Sequence, residues 1–83
     1  MARKKQLVEL EGLYRSELEF LIKELTVGAF AYRNKRLLRD VVIEGHEYQP
    51  MAEKYNISET RAKTIVRKFC KAVKDYREKH PEL

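Results

Sequence analysis

The chain has no tryptophan, one cysteine, two prolines and three glycines among its 83 residues. The lone thiol, Cys70, excludes an internal disulfide and a cysteine-rich zinc site. So few prolines and glycines argue against long loops and an all-β design, both of which need frequent turn residues. No apolar run approaches the roughly 18 residues that a membrane span requires. The basic opening "MARKKQ" is not followed by the apolar stretch of a signal peptide. A cytoplasmic protein is therefore expected. His46 and His80 are far apart and have no acidic or thiol companions at ligand spacing, so no metal site is expected. Nothing in the sequence resembles a nucleophile–base pair, a phosphate loop or a carboxylate dyad. Neither an enzyme nor a cofactor is expected.

What remains is rich in charge and in helix formers. Apolar residues make up 43% and charged residues 37% of the chain, with a net charge of +5. Such a composition folds rather than staying disordered. The length allows one small domain, residues 1–83, with a modest core. The charge is unevenly placed. From Gln6 to Thr26 five acids accompany two bases, whereas from Asn56 to Lys74 six bases accompany the single acid Glu59. A basic cluster on one element is the footprint expected for a polyanion partner. Its bland counterpart is a solvated helix face.

Along the chain, residues 1–6 read as a flexible basic tail, and Arg3, Lys4 and Lys5 as a solubilising group rather than an arm into a minor groove. Apolar residues from Leu7 to Leu25 follow helical spacing. "SELE" at 16–19 reads as a capping box, which predicts a helix over 17–25. Gly28 is a candidate left-handed cap and Asn34 a candidate start for a second helix over 34–44, ended by Gly45, with His46 in that turn. Pro50 suits a first helical turn and places a short third helix at 48–55. "NIS" at 56–58 reads as a turn with Ser58 as N-cap. A last helix then runs from Glu59 with no breaker before Pro81. Its length suggests that the part beyond Cys70 projects or pairs with a partner. The fold class predicted is all-α: a small helical domain with a helix-turn-helix at about 48–67 and a long C-terminal helix.

The helix-turn-helix reading rests on spacing. Ala52 is small where two helices would cross. Asn56 tolerates positive φ, as a tight turn requires. Ile57 plugs the corner, and Met51, Tyr55, Ala62 and Ile65 supply flanking apolar positions. Along the last helix, Ala62, Ile65, Val66, Phe69, Ala72, Val73 and Tyr76 form the inner side. Thr60, Lys63, Thr64 and Arg67 lie on the outer side in the first turns, where a recognition helix reads base edges. Lys and Arg suit the acceptors of guanine, and Thr the thymine methyl. Glu59 reads as a favourable charge at the helix N-terminus. Tyr48, Gln49, Ser58, Arg61, Lys68, Lys71 and Lys74 are candidates for phosphate contacts, which set affinity and register. Phe30 and Tyr32 are the aromatics that the helical patterns do not assign to a core.

The stretch "LRDVVIEGHEYQPMAEKYNISETRAKTIVRKF", with "SELEFLIKEL" before it, resembles the KorA (TrfB) type of plasmid regulator and, more distantly, the PapB adhesin regulators. The likeness rests on "VVIEG", on Ala52 seven residues later, on "NIS", and on Ile65 and Val66. It covers about residues 16–73. Three features depart from the pattern: Asn56 stands in place of a turn glycine, the segment 26–33 is longer, and KorA's extra C-terminal dimerisation segment is missing. The resemblance implies a repressor of plasmid maintenance or conjugation genes, bound as a homodimer to a palindromic operator through Thr60, Lys63, Thr64 and Arg67. Two candidate dimer surfaces are the end of the last helix (Phe69, Cys70, Val73, Tyr76) and the N-terminal apolar group (Leu7, Val8, Leu10, Leu13, Tyr14). Two alternative functions are a sigma region-4-like promoter-recognition module and a protein-interaction module, such as an anti-restriction or nuclease-inhibitor partner.

Overall fold

The computed structural model describes residues 10–81. Four helices pack around one apolar core: α1 (Arg15–Leu25), α2 (Ala31–Leu38), α3 (Tyr48–Lys54) and α4 (Glu59–Lys79). The all-α class expected from the composition is what the chain adopts. α4 is the central strut and touches each of the other three. Its 21 residues make it about 32 Å long. Ala62, Val66, Phe69, Cys70 and Val73 line its buried side. Leu21 and Ile22 of α1, Leu37 and Leu38 of α2, and Ala52 of α3 meet them in the core. Ile65 and Tyr76 pack half-buried at its margin.

Helix α1 begins before the expected position. Glu17, not Glu19, reaches back, and its Oε1 accepts from the Tyr14 amide at 2.8 Å. Glu19 instead pairs with Arg15 at 3.3 Å and Arg39 at 3.6 Å. The "SELE" box is therefore not the cap. α2 also begins early, at Ala31, so Asn34 lies inside it and accepts from Arg33. Gly28 does adopt positive φ (+107°), but three residues past the end of α1, where it opens the turn that starts α2.

After Leu38 the helix widens into a π-helical turn, Arg39–Ile43. The Glu44 amide donates to Arg39 at 3.0 Å, and the His46 amide to Asp40 at 3.0 Å. Three successive β-branched residues, Val41, Val42 and Ile43, crowd a regular α-helix at this point. Gly45 (φ +81°) then reverses the chain into α3. The wide turn keeps Val41 in the core and turns Asp40 toward α3. There its Oδ2 accepts from the Tyr55 hydroxyl at 2.5 Å and from Lys54 Nζ at 3.1 Å.

The C-terminal half of α4 does not project. Phe69 is 4% exposed, Cys70 5% and Val73 0%, all within the chain's own core. Arg77 Nη1 donates to the Glu11 carbonyl at 2.9 Å, and Leu10 is buried beside this end. Long-range cover from the N-terminal segment, invisible to helical periodicity, overturns both the projecting end and its use as a dimer surface. In the other candidate surface Leu10 belongs to the core, while Leu7 and Val8, like the basic tail, fall outside the described residues. No helix among the described residues is long and apolar enough to cross a membrane.

Candidate nucleic-acid interface

Helices α3 and α4 are joined by a four-residue turn whose backbone is fully specified. Tyr55 closes α3, and Asn56 enters the left-handed region at φ +59°. The Asn56 amide donates to Glu53 at 3.2 Å and the Ile57 amide to Ala52 at 2.9 Å. These two bonds satisfy the last carbonyls of α3 in the pattern of a Schellman cap. Ile57 packs half-buried against the core, as such a cap prefers. Ser58 then caps α4, its Oγ accepting from the Arg61 amide at 3.0 Å. Ala52, 3% exposed, lies in the core beside Ala62. The small residue, the positive-φ residue, the plug and the cap all occupy the positions read from the sequence.

The outer face of α4 presents Thr60, Lys63, Arg67, Lys71 and Lys74 to solvent. Thr64 is half-buried at the edge of this strip, and Arg61 and Lys68 lie exposed beyond it. The candidates carried by α4 thus fall on one side of that helix, with Thr64 the only half-buried one among them. Gln49 is exposed at the start of α3. Tyr48 is half-buried, and Lys63 Nζ sits 5.9 Å from its ring centroid. Burial raises the Tyr48 hydroxyl pKa, with Cys70 adding to the rise and Arg67 opposing it. A groove of about 470 Å³ separates the start of α3 from α4, with Lys63, Arg67, Lys71 and Lys74 on its wall.

Five cations of this face are left without a carboxylate partner among the described residues. On other elements Arg15 pairs with Glu19 and Glu44, Arg39 with Glu19 and Lys54 with Asp40. On α4, Lys63 pairs with Glu59 at 3.5 Å, both side chains about half exposed. Exposed pairs of this kind contribute little. Among the described residues, Arg61, Arg67, Lys68, Lys71 and Lys74 have no carboxylate partner. This leaves their potential unscreened by protein.

The orientation of the surface is braced from behind. Burial pushes the Asp40 carboxyl upward, but the Tyr55 hydroxyl and Lys54 ammonium outweigh it and hold its pKa below the ordinary value. This contact ties the turn after α2 to the end of α3, beside the turn that leads into α4.

Sequence reasoning did not single out Arg33. It lies in α2, across a groove from Arg61 and Lys68. Phe30 and Tyr32, 58% and 76% exposed, stand on the same side of the chain as Arg33 and Arg36, whose guanidiniums lie 4.7 and 5.7 Å from their rings. The early start of α2 was the missing signal. Among the described residues no group of histidine, cysteine and carboxylates is placed to hold a metal ion.

No protein family, curated protein or solved structure matches the chain. The likeness to KorA-type regulators accordingly rests on the quoted motifs alone.

Proposed function

We propose that this protein is a sequence-specific DNA-binding transcriptional repressor, with α3 and α4 as its helix-turn-helix. The observation that carries the reading is the row of α4 cations left without carboxylate partners, on the helix that follows a capped four-residue turn. In this reading α4 enters the major groove. Lys63 and Arg67 read base edges together with Thr60 and Thr64. Arg61, Lys68, Lys71 and Lys74 neutralise phosphates, with Gln49, Tyr48 and the Ser58 amide at the flank. Repression follows from steric exclusion of polymerase at an occupied promoter. The KorA-like motifs extend the proposal to a homodimer on a palindromic operator and to plasmid maintenance or conjugation genes.

The test is a titration of the full chain against operator-like and random duplexes at two salt concentrations, with solution mass measured in parallel. Affinity should fall steeply with salt, since each neutralised phosphate contributes a slope of about −0.9 in log K against log salt. The complex with a palindrome should contain two chains. A salt-independent or absent interaction with duplex DNA refutes DNA binding. One chain per non-palindromic element favours the promoter-recognition alternative instead.

A further inference from the structure

A groove of about 290 Å³ runs between the 26–30 connection, α2 and α4. Three observations coincide there. Its lining carries three cations, Arg33, Arg61 and Lys68, and no acid. It contains Val27 and Phe30, two of the most exposed apolar side chains in the molecule, 78% and 58% accessible. And Thr26, which also lines it, holds a hydroxyl oxygen that is buried without a hydrogen-bond partner. Each is costly or unusual alone: a buried hydroxyl without a partner is destabilising, and adjacent like charges repel. A ligand with an apolar body and one negative charge matches the cations and the exposed apolar side chains.

We propose that this groove binds a small amphipathic organic anion, an aromatic or branched aliphatic carboxylate, and that its occupancy competes with DNA for α4. The apolar body lies against Val27, Phe30 and the Ile65–Phe69 side of α4. The carboxylate sits among Arg33, Arg61 and Lys68, where charge-assisted hydrogen bonds are strongest. Arg33 is already positioned for it. Its Nε and Nη2 donate to Asn34 Oδ1 at 3.2 and 3.0 Å, and its guanidinium is stacked on Phe30. The volume is close to the lower bound of about 300 Å³ for small-molecule sites, which suits one or two rings. Binding rests only on the groove. Competition rests on the DNA reading, because Arg61 and Lys68 serve both.

The site is tested on the full chain without DNA, by following backbone amide resonances during titration with 1-naphthoate. Saturable shifts are expected at Thr26, Phe30, Ile65 and Phe69. Arg33→Gln should weaken binding roughly tenfold or more, as loss of one charge-assisted contact does, and Phe30→Ala should weaken it through loss of apolar contact; both lie at exposed or half-exposed positions outside the proposed DNA surface. The uncharged 1-naphthalenemethanol should bind more weakly, and inorganic phosphate at equal concentration should not displace naphthoate. No saturable shift, equal affinity in both variants, or equal displacement by phosphate overturns the site; the last assigns the groove to DNA phosphates. A second titration adds duplex DNA. Naphthoate should raise the apparent Kd for DNA in the wild type and not in Arg33→Gln. Naphthoate binding that leaves DNA affinity unchanged overturns the competition alone. Naphthoate binding by a chain that ignores DNA overturns the repressor reading and leaves the site standing.

Discussion

Asn56 is the residue on which the direction of α4 depends, and its substitution gives a graded prediction. At φ +59° a side chain with a Cβ is held in the left-handed region. That conformation costs an ordinary residue about 1–2 kcal/mol, and asparagine less because its short amide bonds locally. Asn56→Ala keeps the Cβ and removes the amide, so it should cost about 1 kcal/mol. In a domain of this size that lowers Tm by roughly 4–8 °C. Asn56→Val adds β-branching at positive φ and should cost more. Asn56→Gly removes the strain but adds about 0.5–1 kcal/mol of unfolded-chain entropy, so the two effects nearly cancel. The expected order of Tm is glycine near wild type, then alanine, then valine. Thermal unfolding followed by far-ultraviolet circular dichroism measures it. The turn also holds the Ile57–Ala52 and Asn56–Glu53 bonds, so the valine variant should lose DNA affinity beyond its folded fraction. If alanine leaves Tm unchanged while glycine lowers it, residue 56 is not left-handed and the turn geometry is wrong.

Lys63→Ala and Arg67→Ala should each relax operator preference by about 1–3 kcal/mol while leaving Tm unchanged; unchanged discrimination between operator and mutated duplexes in both removes this face as the reader. Lys71→Ala should weaken binding to all duplexes alike and reduce the salt slope by about one unit, whereas a loss confined to one operator base contradicts a phosphate role. The Asp40 carboxyl has a lowered pKa in the folded chain, so its stabilisation is present above the ordinary carboxylate pKa and is lost as pH falls through the depressed value. Asp40→Asn should therefore destabilise the protein at neutral pH and flatten the acid limb of a Tm-against-pH curve; an unaltered acid limb shows that the contact with Tyr55 and Lys54 is not made. Thr26→Val should raise stability by about 1 kcal/mol through removal of an unpaired buried hydroxyl, and a fall in Tm shows that the hydroxyl is satisfied.

The α3–α4 unit was legible because its determinants are local. Asn56, Ser58 and Ala52 act through neighbours within five residues, and helical spacing alone separates Val66 and Val73 from Arg67 and Lys74. What was illegible is long-range. Arg15 extends α1 toward its N-terminus while pairing with Glu44, 29 residues away, a contact no capping pattern encodes. Ser16 and Glu19 have box spacing, but Glu17 takes the exposed amide and leaves Glu19 for two arginines. Leu10 and Glu11 cover the far end of α4, so residues with interface chemistry serve the core instead. The π-helical turn after Leu38 has no sequence signature beyond its run of β-branched residues.

The placement of charge, rather than its net value, bears on the choice between partners. A basic helix could dock on an acidic protein as readily as on DNA if charge were the whole case. But Glu19, Glu44 and Asp40 are engaged with Arg15, Arg39 and Lys54 on the other elements, which removes those cations from competition. Arg61, Arg67, Lys68, Lys71 and Lys74, which have no carboxylate partner among the described residues, lie along one helix about 32 Å long. Thr60 and Thr64 stand at its N-terminal end, close to the α3 turn. A protein partner has no need for hydroxyls at the leading end of a basic row, nor for a second helix fixed behind it by Asp40. A duplex uses both: the leading turns reach base edges, and the trailing lysines follow a phosphate strand. The weak Lys63–Glu59 pair fits the same logic, since a polyanion can take Lys63 from Glu59 at small cost. This makes Glu59→Gln informative. It should strengthen binding to every duplex by removing the carboxylate paired with Lys63, whereas an acidic protein partner that reads Lys63 through a fixed geometry has no reason to treat all sequences alike.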